Sequence, residues 1–89
     1  MMQINKDFTI QKVGASYVAV PVGKTSRTFH GMIRLNETGA FLWNQMVGKD
    51  CTEADLVDAL LGEYDVSREI AERDVHRVVE QLKENGVLV

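Results

Sequence analysis

The stretch RLNETGAFLW, Arg34 to Trp43, contains the change of period that decides the fold. Ile33 and Leu35 flank a charged Arg34, the two-residue alternation of a half-buried strand. Asn36 breaks that pattern. It is a good helix N-cap, because its side-chain oxygen can accept from an orphan amide of the first turn. Glu37 follows where the positive end of a helix dipole favours a negative charge. Ala40, Trp43, Met46 and Val47 then recur at helical spacing, and Gly48 ends the run.

Working back from Arg34, the chain reads as β. TFHGMIRL, Thr28 to Leu35, alternates Phe29, Gly31, Ile33 and Leu35 on one face with His30, Met32 and Arg34 on the other. Before it, SYVAVPV is rich in β-branched and aromatic residues. Pro21 cannot donate to a ladder, which places it at a strand end or an edge. Phe8 and Ile10 alternate with Thr9 and Gln11, and Gly14-Ala15-Ser16 reads as the turn between the first two strands. The three segments predict an antiparallel meander.

Working forward, the chain reads as three helices. Thr52-Glu53-Ala54-Asp55 is a capping-box variant opening the second, whose expected apolar stripe is Ala54, Val57, Leu60, Leu61 and Tyr64. Ser67 caps the third and longest. Ala71, Val75, Val78, Val79 and Leu82 form one continuous face of it. Asn85-Gly86 stops it, with Val87 packing back. The expected architecture is α+β, a three-stranded antiparallel sheet followed by three helices, two short and a longer third that resemble a helix-turn-helix core. So small a sheet needs a helical layer over one face.

Size and composition agree with one domain. The chain has 89 residues, 45% hydrophobic and 26% charged. No apolar run approaches the roughly 20 residues that a membrane helix needs. The first ten residues carry no apolar signal core, so the expected location is cytoplasmic. A lone cysteine, Cys51, has no internal disulfide partner, as suits a reducing compartment.

Chemistry-bearing motifs are missing. His30, Cys51 and His76 lack metal-ligand spacing, and there is no phosphate-binding glycine loop or nucleophile elbow. His76 lies four residues after Glu72 and reads as a surface pair with it. The carboxylates spread over helix surfaces, so no acid–base pair stands out. The chain is therefore not expected to be an enzyme or to need a cofactor.

Charge bears on nucleic acid. Residues 50–66 hold six acidic and no basic residues, and residues 67–89 hold five acidic and four basic. Glu69 with Arg73, Asp74 with Arg77 and Glu80 with Lys83 stand at pairing distance along one helix. A DNA reader would present a basic recognition helix to phosphates. A winged-helix DNA-binding protein is thus the alternative that the charges disfavour, and a subunit of a larger enzyme is a third reading.

Four segments together resemble the PqqD-like family of peptide-binding domains, also called RiPP recognition elements. They are SYVAVPVG, MIRLNETGAFLWNQMVG, CTEADLVDALLGEYDV and DVHRVVEQLKENGVLV. Their order and spacing carry the likeness across Phe8 to Val89. One departure is VGKD at Val47 to Asp50, where the family often has Asp-Gly. The resemblance implies a truncated winged-helix-like fold and a domain that binds the leader segment of a ribosomally made precursor peptide. It would present the remainder to a modifying enzyme, often a radical S-adenosylmethionine enzyme.

The resemblance also places the leader between the third strand and the third helix, as a strand added to an unpaired edge. By position, the edge comes from Gly31, Met32, Ile33, Arg34 and Leu35, and the opposite wall from Val75, Val78, Val79 and Leu82. Pattern alone makes most of that helical stripe core, with one or two residues at the rim. Arg34, Arg73 and Arg77 could pair with leader carboxylates or be ordinary solvated charges. The expected partners are the leader and the modifying enzyme, with no nucleic acid and no membrane. The unpaired edge also leaves a homodimer open, by self-association or strand swapping.

Overall fold

In the computed structural model, which describes residues 3–22 and 33–88, Phe8–Val13 (β1) and Ser16–Pro21 (β2) form an antiparallel hairpin with Val13 opposite Ser16. Gly14 takes φ +63° at the first position of the two-residue turn, which a type II′ turn requires and glycine tolerates. Pro21 closes β2 opposite Phe8, at the strand end as its missing N–H demands. Ile33–Leu35 (β3) pairs antiparallel with β2, placing Leu35 opposite Tyr17 and Ile33 opposite Ala19. The order β1-β2-β3 is the expected meander. Of the strand expected over Thr28 to Leu35, Ile33–Leu35 is described as β, while Gly31 and Met32 lie outside the described residues.

Paired residues share a face of the sheet. Phe8, Ala19, Ile33 and Leu35 turn toward the helices and are buried, whereas Thr9, Gln11 and Arg34 turn away and are exposed.

Helix Glu37–Met46 (α1) starts where expected, with Asn36 Oδ1 accepting the Gly39 amide at 2.8 Å. It buries Ala40, Leu42, Trp43 and Met46. Val47 departs from expectation and is 53% exposed. The helix ends one residue earlier, and Val47 is extended so that Gly48 can turn the chain at φ +75°. Leu42 takes the core position instead.

Helix Glu53–Glu63 (α2) opens on the expected capping box. Thr52 Oγ1 accepts the Asp55 amide at 3.1 Å, and Asp55 Oδ2 accepts the Thr52 amide at 3.0 Å. Its buried face is Leu56, Val57 and Leu60, with Leu61 and Tyr64 half-buried and Ala54 exposed. The expected stripe began one residue type too early. Rolling toward Leu56 removes far more apolar area from water than rolling toward Ala54.

Helix Arg68–Glu84 (α3) buries Ala71, Val75, Val78, Val79 and Leu82, the whole expected stripe. Its end is a Schellman motif: the Val87 amide donates to Leu82 O at 2.9 Å and the Gly86 amide to Lys83 O at 3.1 Å. Gly86 has φ +71°, and Val87 is fully buried. The tail then meets the N-terminal segment, where Ile4 bridges Leu88 and Asn5 Nδ2 donates to Gly86 O. Gly86→Ala meets no steric obstacle but must hold a left-handed backbone. It is expected to cost about 1–2 kcal/mol, read as a lower urea midpoint at unchanged slope; an unchanged midpoint would mean that this turn does not hold the tail.

Surface pairing differs in part from expectation. Arg77 and Asp74 do pair, at 3.5 Å. His76 Nδ1 instead meets Glu53 on α2 at 3.3 Å, and Arg68 meets Asp58 on α2 at 3.4 Å. Among the described ion pairs, neither Glu69–Arg73 nor Glu80–Lys83 occurs. These exposed pairs tie α3 to α2 at no more than about 1 kcal/mol each.

Candidate functional site

β3 has β2 on one side only, so its other edge meets no strand among the described residues. Such an edge carries a row of backbone donors and acceptors open to another chain. Its position follows from the switch at Asn36: β3 ends where the cap begins, and α1 then carries the chain away beneath the sheet rather than adding a fourth strand.

Beside this edge lies a cleft of about 310 Å³ between β3 and α3. Arg34 and Leu35 line it from the strand; Arg77, Val78 and Gln81 line it from the helix. Asn36 and Gly39 close one end, and Ser16 reaches in from the hairpin. Gly39 is needed for this packing. A Cβ there would stand 3.3 Å from both the Leu35 side chain and Asn36 Oδ1, tighter than most side-chain contacts. Its absence lets the start of α1 sit against Leu35.

The cleft combines an apolar floor with a positive rim. Leu35 and Val78 are 4% and 5% exposed. Arg34 is exposed and has no ion-pair partner among the described residues, and Arg77 is held only by Asp74. No aspartate or glutamate among the described residues lines the cleft. The N-terminus of α1, the positive end of its dipole, opens there as well.

Of the residues singled out in the sequence, Arg34, Leu35, Arg77 and Val78 come together at this cleft, and Arg73 does not line it. Ile33 belongs to the same strand, but its side chain points into the core. Val75, Val79 and Leu82 are at most 1% exposed and form the core behind the α3 wall. Gln81, Gly39 and Ser16 were not anticipated. Gln81 had a legible signal, since it stands four residues from Arg77 and three from Val78 on one helical face.

A second cleft, about 470 Å³, lies between the N-terminal segment, β1 and α1, lined by Ile4, Phe8, Ile10, Trp43 and Val47 among others. β1, the sheet's other edge strand among the described residues, borders it through Phe8, Thr9 and Ile10, but neither α3 nor an arginine lines it.

Among the described residues, no group of three His, Cys, Asp or Glu side chains could hold a metal ion. Cys51 is buried and its Sγ lies 3.3 Å from Gln45 O, a packing role. The Tyr64 hydroxyl is pushed above the ordinary tyrosine range, first by burial and then by the charges of Glu37 and Glu63, and its ring meets Phe41 edge-on at 5.5 Å. No helix among the described residues is long and apolar enough to cross a membrane.

The chain is similar to two solved structures of the same architecture. One is TbiB1 in complex with the TbiA(beta) leader peptide, at 21% identity and a TM-score of 0.72, covering 97% of this chain and 93% of that one. The other is lasso peptide synthetase B1 complexed with the leader peptide, at 26% identity and a TM-score of 0.72, covering 99% and 96%. No curated protein matches the chain. The family model for coenzyme PQQ synthesis protein D (PqqD) matches residues 17–88, from the second strand through the C-terminal turn. With that match spanning the sheet edge, the cleft and all three helices, the chain belongs to the PqqD family.

Proposed function

We propose that this chain is a non-catalytic adaptor that binds the leader segment of a ribosomally made precursor peptide and presents the rest to a modifying enzyme. The observation that carries this reading is the open edge of Ile33–Leu35 beside the cleft under α3. The leader adds as a strand to that edge. Main-chain hydrogen bonds give affinity, and side chains entering the cleft give selectivity. Leu35 and Val78 form the floor, Arg34 and Arg77 the rim, and Val75, Val79 and Leu82 hold the α3 wall in place. Gly31 and Met32, outside the described residues, belong with the proposed peptide-binding residues. Residues 1–89 act as one peptide-binding domain in the cytoplasm, and the partner enzyme is of the radical S-adenosylmethionine class.

Two solved relatives of this fold carry leader peptides, which supports the reading. DNA binding gains no support, because α3 carries more acidic than basic residues. Amide hydrogen exchange tests the proposal with the leader of a precursor encoded beside this gene. The amides of Ile33–Leu35 that face outward are expected to slow on adding peptide, with chemical-shift changes at Arg77, Val78 and Gln81. Changes confined to Trp43, Val47 and β1 would move the site to the second cleft and end the account of addition to β3.

A further inference from the structure

We infer that the groove selects its guest by an acidic side chain standing in register with Arg34, next to an apolar side chain that enters over Leu35 and Val78. This rests on the reading of β3 as the peptide-binding edge. Strand geometry sets the two positions. Arg34 points away from the helices while Ile33 and Leu35 point toward them. A guest strand alternates in the same way, so one residue stands beside the Arg34 guanidinium and its neighbour turns inward.

The charges then choose between side chains. Arg34 has no ion-pair partner among the described residues. Arg77, whose side chain is 67% exposed, lines the cleft from α3 and meets only Asp74, at 3.5 Å, among the described ion pairs. Among the described residues, neither Asp74 nor any other carboxylate lines the cleft. Arg34 and Arg77 thus both line one groove that no carboxylate lines among the described residues, although the chain as a whole carries net charge −3. A guest carboxylate gains charge-assisted hydrogen bonds from a guanidinium fork. A guest lysine there meets like charge and is rejected. The inward neighbour finds an apolar floor, where a charge would lose its water without a partner.

The probe is a displayed library of random twelve-residue peptides, selected on the purified full chain. Wild-type selections are expected to converge on Asp or Glu at one position beside an apolar residue. In the tightest selected peptide, Glu→Gln should weaken binding roughly fivefold, as an exposed ion pair allows. Selections on Arg34→Glu should favour Lys or Arg at that position, and Arg77→Gln, on the α3 side of the strand, should leave the acidic preference there in place. Both arginines are exposed, so circular dichroism spectra should not change, and Arg34→Gln serves as a milder second variant. Binders that slow exchange at Ile33–Leu35 yet show no acidic position would overturn this inference and leave the groove reading standing. Failure to enrich any peptide would overturn both.

Discussion

Replacing Trp43 by alanine is expected to lower the melting temperature by roughly 15–30 °C, because deleting a buried indole costs about 3–5 kcal/mol and a domain this size loses about 4–8 °C per kcal/mol. Trp43 is 2% exposed and sits in the single cluster that joins Phe8 and Ala19 of the sheet to the buried faces of all three helices. A chain of this length has a total stability of only about 4–13 kcal/mol. The change therefore removes much of it, and the low end of that range would leave the chain unfolded at 37 °C. Collapse of neighbours into the void is restricted. Leu42 and Met46 are fully buried on the same helix, and Leu56 and Leu60 are already packed from α2. Thermal unfolding followed by circular dichroism checks the effect, since the chain has no other tryptophan for fluorescence. A melting point within a few degrees of wild type would show that α1 is not the centre of the core. Leader binding should fall with the folded fraction and not before it, because Trp43 lines the second cleft and not the groove beside β3.

The other large effect belongs to the guest peptide. Methylating alternate backbone nitrogens of a bound leader should weaken binding roughly 10–100-fold in one phase, through loss of about two hydrogen bonds, and hardly at all in the other. The cause is the ladder itself: an added strand turns only every second residue's N–H toward its neighbour. Side chains are identical in the two peptides. Recognition through the cleft alone would make both phases similar, and calorimetric titration showing equal losses would exclude strand addition. The short length of β3 among the described residues, Ile33–Leu35, sets the small number of bonds at stake.

Much of this was readable before any coordinates. The strand before Asn36, the caps at Asn36, Thr52 and Ser67, the α3 stripe and the Gly86 stop are all patterns within about four residues. Steric and hydrogen-bonding rules act at that range, so local sequence states them directly. The likeness of the four segments extended this to the family and to the general location of the groove.

Other features depended on what each element packs against. Whether α2 buried Ala54 or Leu56 was decided by its approach to α1 and α3, and Val47 left its expected stripe when Gly48 turned the chain. His76 found Glu53 on another helix, although Glu72 lay one turn away on its own.

The groove shows the division most clearly. The sequence by itself determined that a short strand ends at a cap and that a long helix carries one apolar face. Only the tertiary structure decided that Val78 borders the cleft while Val75, Val79 and Leu82 lie behind it, and that Arg34 and Arg77 share its rim. Periodicity ranks the residues of a helix by face, but exposure along that face depends on where a strand some forty positions earlier in the chain stops covering it.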